Sequence, residues 1–232
     1  MNVVITGASQ GIGFAVAEIF ANAGYTLFLC SKTKENIAVA GNSLAAKYPH
    51  ATIHFTHADL SEKEQCTKFA NWCLEKGMPT ILINNAGFFS PGNIQDEADN
   101  ALEQQMAVNL YSAYHTTRAL LPAMLKMGKG HIFNICSIAS LNAYAQGGSY
   151  SISKFALLGF SKNLRLELKD KGIKVTAVCP GATYTNSWNG SGIDPMRIME
   201  SEDIAKMIFA AAHLSPQAVV EDIVMRPQKG DL

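Results

Sequence analysis

The chain has 232 residues, 48% apolar and 16% charged, and its 19 basic and 19 acidic side chains cancel to a formal net charge of zero. That length and composition suit one α/β domain with a sizeable core, and the balance gives no electrostatic case for nucleic acid or a membrane surface as partner. No apolar run approaches the ~20 residues of a membrane span, and a first strand starting at Asn2 or Val3 leaves no room for a signal peptide. The five cysteines, Cys30, Cys66, Cys73, Cys136 and Cys179, are odd in number and form no C-x-x-C pair. Reduced thiols in a cytoplasm are the expectation.

In chain order, short apolar runs predict strands near 2–6, 25–30, 51–56, 80–84, 131–136, 173–179 and 219–225. They lack polar alternation, as strands covered on both faces do. Helical patterns fall between them, near 12–23, 34–47, 62–76, 98–127, 149–170 and 202–213. Asp59 to Glu62 and Ser201 to Asp203 offer capping and early acidic residues at two helix starts. Gly24, Gly77 and Gly172 stand near three helix ends. Alternating βα units predict a doubly wound (Rossmann) three-layer sandwich with a seven-stranded parallel sheet, 1–232 forming a single domain. Gly, Pro, Asn and Ser mark 86–97 and 181–200 as loops, the second placed as a substrate lid. Its tripeptide Asn189-Gly190-Ser191 matches a glycosylation acceptor but reads as loop.

The first strand runs into "TGASQGIG", with Gly7, Gly11 and Gly13 ahead of a helix. Small residues there let backbone approach a pyrophosphate, and the helix N-terminus supplies unpaired N–H groups. A dinucleotide site expects a carboxylate about 20 residues on, at the end of the second strand. Ser31 and Lys32 stand there instead. A hydroxyl and an ammonium suit a 2′-phosphate, so NADPH is expected over NADH.

In "GGSYSISKFALL", Tyr150 and Lys154 are four apart and share a helix face. A phenol titrates near ~10, too high for easy proton exchange at neutral pH, and a neighbouring ammonium favours its ionised form. The pair can serve as general acid/base in a carbonyl–alcohol reaction. Ser137 ends the strand "HIFNICS" at the same rim of the sheet, placed to hold a carbonyl. No histidine belongs to an H-E-x-x-H or similar ligand pattern, and His54 and His57 read as solvated or core residues, so no metal is expected.

Together Thr6 to Gly13, Asn84-Asn85-Ala86-Gly87, Asn109, Ser137, Tyr150 to Lys154, Pro180-Gly181 and Thr185 resemble the short-chain dehydrogenase/reductases, in order, from residue 3 to about 185. The resemblance implies a cofactor held by Gly7, Ser9, Gly11, Ile12 and Gly13, with Ser31 and Lys32 at the 2′-phosphate. It implies Asp59 at the adenine and Asn85, Ala86 and Gly87 along the floor. Tyr150 would be the acid/base, Lys154 would bind the nicotinamide ribose and lower the tyrosine pKa, and Ser137 would orient the carbonyl. Asn109 would hold a water linking Lys154 to solvent, and Pro180, Gly181 and Thr185 would meet the carboxamide. Gln10 stands where many NADP-preferring relatives carry a basic residue, which leaves Lys32 as the charge for the 2′-phosphate.

The tail "VVEDIVMRPQKGDL" departs from the V-D-G-G-like ending of many members. The chain looks more similar to small sepiapterin reductase-like enzymes than to 3-oxoacyl-acyl-carrier-protein reductases, which remain an alternative. A sugar-nucleotide epimerase shares the two motifs but is longer. A non-catalytic NADP(H)-binding regulator is the alternative of another class. The lid, with Trp188, Met196 and Met199, admits a small carbonyl substrate: a flat ring, a diketone or an acyl chain. The long helices 98–127 and 149–170 carry apolar residues on more than one side, as in family members that assemble as homodimers or homotetramers.

Overall fold

A computed structural model describes residues 1–185, 188, 190 and 192–232. Asn186, Ser187, Asn189 and Ser191, within the expected lid and the glycosylation-like tripeptide, lie outside the described residues. Seven parallel strands, β1 (Asn2–Thr6), β2 (Thr26–Ser31), β3 (Thr52–His57), β4 (Ile81–Asn84), β5 (Gly130–Ile135), β6 (Ile173–Pro180) and β7 (Asp222–Met225), form one sheet in the order β3-β2-β1-β4-β5-β6-β7. The last strand starts three residues later than its apolar pattern suggests.

The core shows why these strands read as unbroken apolar runs. Val3, Val4 and Ile5 are all buried, with alternate residues facing opposite layers. Val3 and Ile5 join Leu27, Leu29 and Phe133 against α1 (Gly11–Asn22), α2 (Lys34–Lys47) and α7 (Ser201–Ala212). Val4, Phe28, Leu82 and Ile132 pack on the other face against α3 (Lys63–Lys76), α5 (Ser112–Met127) and α6 (Gly148–Leu168). Among the described residues, no helix is long and apolar enough to cross a membrane.

The expected helix over 98–127 is three pieces: α4 (Ala101–Met106), a π-helical segment Ala107–Tyr111 and α5. Asn109, the centre of the π segment, is fully buried and its side chain is drawn into bonds with other elements. Periodicity alone does not show such a side chain competing with the ladder. The expected side-chain caps also differ. Glu62 and Glu200 are the N-cap positions of α3 and α7, and neither side chain caps. Asp59 instead accepts the Ser61 N–H and hydroxyl at 3.1 and 2.7 Å. Gly24 and Gly172 have left-handed backbone, but Gly77 ends α3 in an extended conformation.

Strand order reverses between β1 and β4, so the loops leaving these two strands flank a crevice at their carboxyl ends.

Candidate active site

The two loops at the crevice are tied by their own polar groups. The Thr6 hydroxyl accepts the Asn85 and Ala86 N–H groups at 3.0 and 2.9 Å, and the Asn85 amide donates to the Thr6 and Gly7 carbonyls at 3.0 and 2.9 Å. Gly7 and Gly11 have positive φ, and a Cβ on Gly13 would collide with the Gly7 carbonyl oxygen and the Asn85 amide. A Cβ on Gly11 would stand 2.9 Å from the Thr185 methyl, so the segment after β6 closes over this loop. Ser9 and Ile12 lie in the same turn, each partly buried. A glycine-rich backbone cradle at the start of a 12-residue helix whose first turn carries no acidic residue fits a pyrophosphate.

Ser31 is buried at the end of β2, and its hydroxyl donates to the Thr33 carbonyl at 3.2 Å. Lys32 is 75% exposed and pairs with Asp59 at 2.9 Å. Burial pushes the Asp59 carboxyl up, but hydrogen bonds from Ser61 and Lys32 outweigh it and hold it below its ordinary value. The structure thus brings two of the sequence-predicted residues into contact with each other, a pairing the spacing did not announce.

Tyr150 and Lys154 sit on the first turns of α6, facing the ends of β5 and β6. Lys154 is buried, its Nζ donates to the Ile135 carbonyl at 2.9 Å, and it lies 5.7 Å from the Tyr150 ring centroid. Burial lowers its pKa. Ser137 follows β5; its hydroxyl accepts the Ala139 N–H at 3.1 Å and lies close enough to the Tyr150 phenol to lower its pKa. Burial raises the pKa of that phenol, the Ser137 hydroxyl lowers it, and the net direction is upward. The Asn109 side chain accepts from Phe88 N–H at 2.9 Å and reaches Ser153 Oγ at 2.9 Å, and Ser153 Oγ donates to the Tyr150 carbonyl at 2.7 Å. A Cβ on Gly87 would stand 3.0 Å from Asn109 Oδ1 and 3.5 Å from Lys154 Nζ, so the floor loop and the catalytic candidates converge.

At the end of β6, the Gly181 N–H donates to Met225 O at 2.8 Å and is committed to β7. Residues 182–184 pair with Met199, which joins the two ends of the segment expected as a lid. Met199 is buried in the core while Met196 is exposed. Three groups escaped the sequence reading. Buried Gln105 bonds Asn109 at 3.1 Å and the Ser90 carbonyl at 3.0 Å; its i, i+4 spacing from Asn109 was the available signal. Phe89 lies edge-on to Tyr150 at 4.9 Å, and Glu97 contacts the start of α6; nothing local in sequence marks either. His54 stacks on Phe28, and among the described residues no group of three or more His, Cys, Asp or Glu is placed to hold a metal ion.

A family model described as short chain dehydrogenase matches residues 1–194. The chain is 33% identical to sepiapterin reductase of Chlorobaculum tepidum, over 99% of this chain and 97% of that one. It is similar to an alcohol dehydrogenase of the archaeon Thermococcus sibiricus solved with 5-hydroxy-NADP, at 25% identity and TM-score 0.90, covering 98% and 96% of the two chains. A short-chain dehydrogenase of Sphingobium yanoikuyae solved with NADPH is 29% identical with TM-score 0.84, covering 95% and 87%.

Proposed function

Because the chain belongs to the short-chain dehydrogenase family, we propose that it is an NADPH-dependent reductase of ketone or aldehyde carbonyls with Tyr150 as general acid/base. The observation that carries this reading is the convergence of Ser137, Tyr150 and Lys154 at the crevice bounded by the glycine loop and Gly87. NADPH, when bound, supplies the hydride. The glycine loop and the α1 N-terminus would hold its pyrophosphate, Ser31 and Lys32 its 2′-phosphate, and Asp59 would meet the adenine. Asn85, Ala86 and Gly87 would form the floor, Pro180, Gly181 and Thr185 would meet the carboxamide, and Lys154 would bind the ribose. Ser137 orients the carbonyl oxygen, and Tyr150 delivers the proton to it. Proton resupply to Tyr150 would come from solvent by way of Asn109 and Lys154.

A rim of partly exposed aromatic residues supports a small, flat or apolar carbonyl substrate. Phe89 and Tyr144 each expose almost half their surface; Phe89 meets the Tyr150 ring, and Tyr144 is close enough to feel that phenol's charge. Among family activities, the likeness to a sepiapterin reductase favours a pterin side chain over an acyl ketone. The cytoplasm is the proposed location, in keeping with five free, buried cysteines. A homodimer or homotetramer is proposed through α5 and α6, which expose Tyr114, Ile152, Phe155 and Leu166.

The test is cofactor absorbance with NADPH and a panel of diketones, pterins and acyl ketones. Tyr150→Phe should cut turnover by ~10²–10⁴-fold while keeping NADPH affinity. A near-wild-type rate removes Tyr150 from the role, and NADPH binding without oxidation by any carbonyl favours a regulator.

A further inference from the structure

We infer that Glu97 is a positioning residue for Tyr150, clamping the loop after β4 onto the first turn of α6; this rests on the acid/base reading above. Glu97 lies 52 residues before Ser149, yet its carboxylate takes both donors of that residue. The Ser149 N–H donates to Oε1 at 2.9 Å, and the Ser149 hydroxyl donates to Oε2. Ser149 is buried and is the residue immediately before Tyr150.

The surrounding backbone is built to admit this carboxylate. Gly148 has φ +31, and a Cβ there would collide with Glu97 Oε1 and the Gly92 carbonyl. A Cβ on Gly92 would stand 2.7 Å from Glu97 Cγ. The Gly92 N–H donates to the Gln146 carbonyl at 3.0 Å, a second tie between the same segments, and Gln146 itself has φ +60. The turn into α6 thus carries left-handed backbone at Gln146 and Gly148, on either side of right-handed Gly147. No side chain of the N-cap residue Gly147 can close the first turn, and Glu97 does so from another loop. A negative charge also sits favourably at a helix N-terminus.

Tyr150 is thereby held from two directions. Its backbone follows Ser149, and its ring meets Phe89, which belongs to the loop that Glu97 anchors. Loosening the clamp frees the phenol relative to Ser137, while the glycine loop keeps its own ties to Asn85 and Ala86. The signature is loss of kcat with cofactor affinity unchanged.

The experiment uses the full chain with NADPH. Glu97→Ala, Glu97→Gln, Ser149→Ala and the Glu97→Ala/Ser149→Ala pair are compared for diacetyl reduction, NADPH Kd and hydrogen exchange of the residue 149–151 amides in the NADPH complex. Glu97→Ala should lower kcat by about tenfold or more with NADPH Kd within about twofold, since small misplacements at a reacting group are costly. Exchange at 149–151 should rise. Glu97→Gln keeps one acceptor and should recover part of kcat. Ser149→Ala should add little to Glu97→Ala, because the two act through one contact. Unchanged kcat, unchanged exchange, kcat and NADPH affinity falling in step, or additive losses would each overturn the inference. If Glu97→Ala does not fold, the Glu97→Gln and Ser149→Ala rates decide it. A wild type that binds NADPH but reduces no carbonyl defeats the parent reading, while the exchange measurement still decides the clamp.

Discussion

Lys32→Ala is the sharpest test of cofactor choice, because Lys32 already has a partner. Its Nζ lies 2.9 Å from Asp59, with the lysine side chain 75% exposed. An exposed pair of this kind is worth ~0–1 kcal/mol after screening, and a charged hydrogen bond to a phosphate oxygen about 1.5–3 kcal/mol. Transferring the ammonium from Asp59 to a 2′-phosphate therefore leaves a net gain of about 1–2 kcal/mol, or ~5–30-fold in Kd. Lys32→Ala should weaken NADPH by that factor and leave NADH within about twofold. Asp59→Asn removes the competing carboxylate and should raise the ratio of NADPH to NADH affinity, whatever it does to both through the adenine. Fluorescence titration with each cofactor, at low and high salt, measures this, and the NADPH advantage should shrink with salt. Equal losses for the two cofactors in Lys32→Ala would refute the assignment of the 2′-phosphate to this residue.

Three further outcomes are expected. Gly13→Ala drives a methyl into the Gly7 carbonyl and the Asn85 amide that braces it, so it should cost about 1–3 kcal/mol by urea unfolding and weaken both cofactors alike; a stable variant with normal affinity would contradict the cradle. Burial pushes the His131 imidazole down to about 3 from 6.5, with Nε2 2.7 Å from the Thr176 hydroxyl. The unfolded chain therefore takes up that proton first as pH falls below 6.5, and the stability is full above that value and lost toward about 3. Wild type should lose ~1.4 kcal/mol per pH unit more than His131→Leu in that window, and parallel pH–stability curves would exclude it. Ser137→Ala removes the hydroxyl that lowers the Tyr150 pKa, so the rising limb of alcohol oxidation should move to higher pH; an unmoved limb would separate Ser137 from the phenol.

What was legible in the sequence follows from locality. Strand burial on both faces writes itself as apolar runs, so Val3 to Ile5 and Leu27 to Leu29 are found where expected. Tyr150 and Lys154 share a helix, and their common face follows from spacing. Asn109 shows the other regime. Its partners Phe88 and Ser153 are 21 and 44 residues away, and they pull its turn into a π-helical segment where periodicity predicts uninterrupted helix. The Lys32–Asp59 pair and the Glu97–Ser149 clamp are likewise contacts between loops that only the assembled sheet brings together.

The same distinction bears on the direction of the chemistry. Spacing puts an ammonium near a phenol and leads one to expect a depressed tyrosine pKa. In the folded chain, Lys154 spends its Nζ on the Ile135 carbonyl and is itself lowered by burial, while burial drives the Tyr150 phenol upward and the Ser137 hydroxyl offsets only part of that. A group held above its ordinary value of ~10 is protonated at neutral pH. It is ready to donate to a carbonyl oxygen and poorly placed to abstract from an alcohol. The expected outcome is a pH profile in which alcohol oxidation gains rate as pH rises while carbonyl reduction does not; parallel profiles in the two directions would refute it.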